Sequence, residues 1–114
     1  MTTMNEREQA FEAKFAHDAE FQFLLNARRD KLFAHWAAAA AGIAGDAEDA
    51  LVSDVLAIPN GPDHDPALLR YIQSTMAGRG VIPAATDVLA ALDRCAKDAF
   101  AHLSAHPPER SEIV

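Results

Sequence analysis

The sequence predicts an all-α protein, a small four-helix bundle of four to five helices with an N-terminal helical arm. Apolar residues recur at three-to-four spacing in most segments, which is typical of amphipathic helices. No segment shows the two-residue alternation of a half-buried β-strand. The 114 residues have room for one domain with one hydrophobic core, which favours a single bundle.

The stretch from Asn5 to Trp36 contains no glycine and no proline, which favours a helix. Within it, Phe11 and Phe15 lie four residues apart and share one face, whereas the opposite face is charged. This apolar stripe is too narrow to stabilise an isolated helix, because short helices are marginal in water. We therefore expect residues 1–18 to form an arm that docks on the rest of the chain or orders on a partner.

A long helix is predicted next, from near Ala19 to about Ala41, where glycines follow. It is either capped by Asp18 or continuous with the arm. Arg28 falls inside its apolar stripe and must reach solvent or bond to a carbonyl or carboxylate group, because an unpaired buried charge is costly. The apolar positions of this stripe are Phe21, Leu25, Leu32, Trp36, Ala39 and Ile43.

Three shorter helices are predicted in the rest of the chain. One runs over about residues 47–57 with Asp46 as its N-cap, and the next begins at Pro66 with Asp65 as its N-cap. The last covers about residues 84–102. Their predicted core faces are Leu51, Val55 and Ile58; Leu68, Leu69, Ile72 and Met76; and Leu89, Leu92, Cys95 (or Ala96), Ala99 and Leu103, with Val52, Leu56, Val88 and Phe100 alongside. The bundle is expected to span residues 19–106, followed by a flexible tail over residues 107–114.

The formal charge of −7 divides into −1 over residues 1–36 and −6 over residues 37–114. An acidic body argues against nucleic acid or an anionic membrane as the main partner. The single cysteine excludes an internal disulfide and fits a reducing compartment. No apolar run approaches the ~20 residues that span a bilayer. We expect a soluble, cytoplasmic protein that is monomeric when free.

No pattern in the sequence predicts catalysis or metal binding. The glycine-rich motifs that bind phosphate are missing. His102 and His106 lie one helical turn apart, but no third ligand is near in sequence. The segment 63–65 (Asp-His-Asp) is interpreted as a solvated turn and Cys95 as a core residue. The chain is therefore not expected to be an enzyme.

Residues 28–31 (Arg-Arg-Asp-Lys) form the one basic cluster. Two interpretations of this cluster remain open. Its cations pair with the acidic body on an exposed helix surface, or they contact the carboxylates of a partner or a phosphate-bearing ligand. Guanidinium groups fit either geometry.

The N-terminal stretch resembles the zeta subunit, a small inhibitor of the F-type ATP synthase in alphaproteobacteria. The matching residues are Arg7-Glu8, Ala10-Phe11-Glu12, Lys14-Phe15-Ala16, Asp18, Glu20, Phe23, Ala27-Arg28-Arg29, Lys31-Leu32 and Trp36-Ala37-Ala38. The second half is similar to the family in helix order, alanine-rich composition and length. The chain departs from the family at Asp30, where asparagine is usual, at Phe33-Ala34, where Leu-Gly is usual, and in the proline-rich loop over residues 59–66.

The resemblance implies a four-helix bundle whose arm inhibits ATP hydrolysis by inserting at a catalytic alpha–beta interface of the synthase head, next to the rotor subunit gamma. The partner-binding residues that it implies are Asn5, Glu6, Arg7, Glu8, Phe11, Glu12, Lys14 and Phe15. Such a protein requires no cofactor, inserts into no membrane and reaches the membrane through the synthase alone.

Members of this family are also described as binding ADP or ATP on the bundle. This property implies an alternative function, a regulatory protein whose bundle senses nucleotide. The phosphate contacts would then be Arg28, Arg29 and Lys31.

Overall fold

The computed structural model describes residues 19–105, which form four α-helices and contain no β-strand. The helices are α1 (Ala19–Ala41), α2 (Asp46–Leu56), α3 (His64–Gly78) and α4 (Ala85–Ala105). This architecture confirms the predicted small all-α bundle. The predicted arm over residues 1–18 and the predicted tail over residues 107–114 lie outside the described residues, and so does any junction between the arm and α1.

Helix α1 is the central element of the bundle. Its 23 residues extend about 34 Å, and it contacts α2, α3 and α4, most extensively α4 and least extensively α3. It ends as predicted at Gly42, whose φ of 70° is a left-handed conformation that favours glycine. The N–H of Ile43 then donates to the carbonyl of Ala38 at 2.8 Å, which closes a Schellman motif.

The beginnings of α2 and α3 differ from the prediction. Gly45 rather than Asp46 occupies the N-cap of α2, and no side chain caps the helix. Asp46 lies in the first turn, where the helix dipole still favours an acid. Helix α3 begins at His64 rather than Pro66, so Asp65 is a helical residue and not the cap.

The hydrophobic core draws on all four helices and on the α1–α2 connection. The predicted faces of α2 and α3 are largely confirmed. In α4, by contrast, Leu89 and Phe100 are exposed, and the smaller Ala91 is buried instead. The largest fully buried side chains are Phe33, Val55, Leu68, Ile72, Met76 and Val88.

The stripe predicted for α1 was correct only in part, since Ile43 is buried and Leu32 and Trp36 pack against the core. The apolar residues that α1 buries are Phe33, Ala34, Ala37 and Ala38, whereas Ala39 is exposed. Because alanine side chains are small, neighbouring helices can approach this face closely, and the larger residues of the predicted stripe lie beside it. Trp36 packs at the edge of the core and stacks on Phe33, with ring centroids 5.6 Å apart.

Among residues 19–105, no helix combines the length and the hydrophobicity that crossing a lipid bilayer requires.

We predict that Leu68→Ala lowers the free energy of unfolding by about 2–5 kcal/mol, because it removes a fully buried side chain and leaves a cavity. The matched control is Leu89→Ala, which truncates a leucine that is 53 % exposed and should cost under about 1 kcal/mol. Urea unfolding followed by circular dichroism measures both values. Equal losses would contradict the burial described for α3 and α4.

Candidate functional site

Asp30 is a buried carboxylate at the point where α1 enters the bundle. Residues 19–29 of this helix are exposed or half-buried, and Asp30, at 2 % exposure, is the first buried residue. Its Oδ2 lies 2.6 Å from Nε2 of His64 at the start of α3. Its Oδ1 accepts a hydrogen bond from Nε of Arg29 at 2.9 Å and forms an ion pair with Nη2 of the same residue at 2.8 Å. Both oxygens are thus paired, as a buried carboxylate requires.

The hydrogen-bond partners of His64 determine where its protons lie. Nδ1 lies 2.9 Å from the carbonyl oxygen of Pro59, which can only accept, so Nδ1 carries a hydrogen. The 2.6 Å contact on the other side also needs a proton between Nε2 and Asp30. Because the guanidinium group of Arg29 lies against the same carboxylate, we assign the shared proton to Nε2, so that the imidazole carries both protons.

The pKa of His64 reflects these opposing effects. Burial lowers it, since a charged ring loses hydration in the interior. The hydrogen bonds to Pro59 and Asp30, together with the negative charge of Asp30, outweigh both burial and the nearby charge of Arg29. The net result is a pKa above the ordinary value of 6.5, which favours the imidazolium.

Arg29 connects the buried pair to the surface. Its guanidinium group binds Asp65 in a two-pronged contact, with Nη2 2.7 Å from Oδ1 and Nη1 3.2 Å from Oδ2. Through this hydrogen-bonded contact Arg29 lowers the pKa of Asp65 below its ordinary value. Asp65 therefore joins α3 to α1 instead of capping α3. For Arg29, the structure agrees with the first interpretation of the basic cluster, pairing with acids of the body.

The structure does not bring Arg28, Arg29 and Lys31 together as one site. Residues three apart share a helix side, so Arg28 and Lys31 lie together and Arg29 projects elsewhere. Arg28 is half-buried, and its Nε is buried without a hydrogen-bond partner, while Lys31 is exposed. Nucleotide contact by these residues stays a prediction.

An open cleft of about 380 Å³ lies over the ion-pair network. Its lining residues are Asn26, Arg29, Asn60, Gly61, Pro62, His64 and Asp65. The floor of this cleft presents both signs of charge, because Arg29 and His64 face it together with the half-exposed carboxylate of Asp65.

The interpretation of residues 63–65 as a solvated turn was wrong for two of its three residues. His64 is buried against Asp30, and Asp65 pairs with Arg29. One signal in the sequence could have revealed this contact. Asp30 lies three and four residues before Phe33 and Ala34, so the three side chains share one face of the helix. A carboxylate on such a face needs a cation or a donor from elsewhere in the chain.

Other polar contacts join the helices at the surface. Nδ1 of His35 lies 2.6 Å from Oε2 of Glu48, which links α1 to α2 across a partly exposed site. The hydroxyl group of Tyr71 donates to Asp54 at 2.8 Å and links α3 to α2. Cys95 is buried, as predicted for a core residue, and burial raises the pKa of its thiol.

Two sets of predicted residues fall wholly or partly outside the described residues. The predicted arm residues from Asn5 to Phe15 lie outside them, as does His106 of the His102–His106 pair. Within residues 19–105, no group of three histidine, cysteine, aspartate or glutamate side chains is placed to hold a metal ion.

A family model described as ATPase inhibitor subunit zeta matches residues 1–102, which include the arm and nearly all of the four helices. The chain belongs to this family. Comparisons with curated proteins and with solved structures gave no match. Membership confirms the resemblance noted in the sequence, supports a role as an ATP synthase inhibitor and implies the synthase as a partner. Inhibitor subunits of this kind are generally not catalysts.

We predict that Asp30→Ala in this zeta-family chain lowers the free energy of unfolding by about 3–5 kcal/mol, because it leaves the buried imidazolium of His64 without its carboxylate. Asp65→Ala is the matched control. It removes the other carboxylate on Arg29, which is 51 % exposed and should contribute about 1 kcal/mol or less. Chemical denaturation at pH 6 compares the two variants, and a larger loss for Asp65→Ala would contradict the network.

Proposed function

We propose that this zeta-family chain inhibits ATP hydrolysis by the F-type ATP synthase, with residues 1–18 inserted at a catalytic alpha–beta interface of the head, next to gamma. The observation that carries the proposal is the family match, which begins at residue 1 and thus includes the arm. In this proposal the protein is a cytoplasmic monomer when free and reaches the membrane through the synthase alone.

The composition of the arm supports insertion into a protein cleft. A helix over residues 1–18 would be about 27 Å long, enough to enter a crevice between subunits. Phe11 and Phe15 would be its apolar anchors, since large aromatic side chains dominate the energetics of many interfaces. The charged residues around them would fix its register against the partner. These charges are Glu6, Arg7, Glu8, Glu12 and Lys14, with Asn5 preceding them.

The first half of α1 offers a continuation of this contact surface. Residues 19–29 precede the buried part of the helix, so their side chains remain accessible. Phe23 is 58 % exposed, and Leu24 and Leu25 are half-buried. We propose that the partner contacts these apolar side chains as well, while the helix from Asp30 onward anchors the protein in its own bundle.

Inhibition in this proposal requires no chemistry from the inhibitor. A segment that binds one conformation of a rotary enzyme more tightly than the others shifts the population towards it and stops the cycle. The role of the bundle is then to present the arm and to add contact area around it.

We predict that the double variant Phe11→Ala/Phe15→Ala weakens inhibition of the cognate synthase head by at least about 30-fold, as expected when anchors worth about 2 kcal/mol are truncated. Deleting residues 1–18 should abolish inhibition. An ATPase assay with increasing inhibitor measures both effects. The matched control is Phe100→Ala, which truncates a phenylalanine on α4 that is 55 % exposed and should leave inhibition unchanged. Full inhibition by the deleted form would remove the arm from the mechanism.

The alternative function, a bundle that senses ADP or ATP, has one structural observation in its favour. Arg29 and His64 bring positive charge to the open cleft, where phosphate groups could bind. Asp65 opposes this proposal, because its carboxylate already occupies the guanidinium group and would repel phosphate.

Titrating ATP and ADP while following amide NMR shifts tests this alternative. Saturable shifts concentrated in residues 26–31 and 60–65 would support a nucleotide site in the cleft. Unchanged spectra at millimolar nucleotide would eliminate nucleotide sensing and would leave the inhibitory arm unaffected.

A further inference from the structure

We propose that the contact between Asp30 and His64 is a proton-dependent clasp that holds residues 57–63 and the first turn of α3 against α1. With His64 doubly protonated the clasp is closed, and loss of one proton opens it. The proposal does not rest on the inhibitory function, and its readouts need no synthase.

The two hydrogen-bond acceptors around the imidazole ring are the first reason. The Pro59 carbonyl accepts from one side and the Asp30 carboxylate from the other, at 2.9 and 2.6 Å. A neutral imidazole has a single N–H group, so it cannot donate to both acceptors. Deprotonation would place the lone pair of Nε2 against Oδ2 at a site shielded from water, and one of the two contacts must then break.

The charge of the whole cluster is the second reason. The groups that face one another are Arg29 and Asp30 of α1, His64 and Asp65 of α3 and the neutral carbonyl of Pro59. On the far side of Arg29, α4 contributes Asp93, which lines a neighbouring groove, and the buried thiol of Cys95. With an imidazolium, Arg29 and His64 balance Asp30 and Asp65, whereas a neutral ring leaves these four groups with one negative charge in excess.

The location of the clasp determines what it controls. Residues 57–63 include no buried residue, and only Ile58 among them is half-buried against the core, so few apolar contacts hold this loop in place. Asp30 lies about 16 Å along α1 from Ala19, at the boundary between the accessible and the buried halves of the helix. Opening would therefore free the loop, widen the cleft and extend the accessible part of α1.

The sign of the pH dependence follows from the direction of the shift. The pKa of His64 is raised in the folded protein, so its stabilising contribution is complete below an unfolded value of about 6.5. That contribution is lost as the pH rises through the folded pKa. Between the two values the closed form holds one more proton than the open form, and the opening equilibrium increases by up to about tenfold per pH unit.

The test uses the full chain and two NMR measurements between pH 5.5 and 9. Imidazole ¹⁵N shifts report the protonation of both ring nitrogens of His64, and amide hydrogen exchange, corrected for its intrinsic pH dependence, reports opening of residues 57–66. We expect a doubly protonated ring at pH 6.5 and faster corrected exchange in this segment as the proton leaves. A neutral His64 at pH 6.5, or corrected exchange that does not vary with pH, would overturn the proposal.

Asp30→Asn is the decisive variant, because the amide of asparagine can donate to the neutral Nε2 and keep the contact without the extra proton. We expect the pKa of His64 to fall by at least about one unit and exchange in residues 57–66 to lose its pH dependence. His64→Gln, which cannot titrate, should also remove the pH dependence. Retention of the wild-type pH dependence in either variant would overturn the clasp.

His35→Gln is the matched control. It removes a histidine that also contacts a carboxylate at 2.6 Å on α1, but at a site that is partly exposed. The titration of His64 and the exchange of residues 57–66 should both be unchanged. If His35→Gln abolished the pH dependence, the effect would not belong to His64 and the proposal would fail.

Discussion

The carboxylate of Asp30 lies in the interior of the bundle, and an unpaired charge there would cost several kcal/mol. The fold has to supply partners, and it supplies them from two directions. The neighbouring Arg29 on α1 binds one carboxylate oxygen of Asp30, and His64 at the start of α3 binds the other. Because His64 also bonds to Pro59, the position of the α2–α3 connection depends on the same pair.

This requirement explains local features that look irregular in isolation. Asp63 occupies the N-cap of α3 without a side-chain cap hydrogen bond, and Asp65, which the sequence predicted as the cap, lies in the first turn and pairs with Arg29. Asp30 is tolerated as a buried carboxylate because His64 and Arg29 both pair with it. The connection and the helix start have thus taken their positions around one buried charge.

The sequence predicted the features that depend on local chemistry. The end of α1 before Gly42 and the core face of α3 follow from turn residues and periodicity, and the structure confirms them. The core face of α1 could not be predicted from periodicity. Apolar residues surround this helix, and its alanines are buried because three neighbours pack against them, which periodicity does not reveal.

The candidate site was less predictable because its residues are far apart in the chain. Asp30 and His64 are 34 positions apart, and neither lies in a sequence motif that would predict the other as its partner. Because a buried charge needs a partner, the sequence could have predicted that Asp30 is paired, but not which residue pairs with it. For the inhibitory arm the situation is reversed. The family resemblance predicts the arm from the sequence, but its residues lie outside those that the structure describes.

The most direct test of this account is a double-mutant cycle on Asp30→Ala and His64→Ala, measured by urea unfolding at pH 6, with the same cycle on His35 and Glu48 as reference. We expect a coupling energy of about 2 kcal/mol for Asp30 and His64, as found for groups that share a buried network, and about 0.5 kcal/mol for the partly exposed pair. Additive effects of the two substitutions at Asp30 and His64 would show that the buried contact does not hold α1 and α3 together.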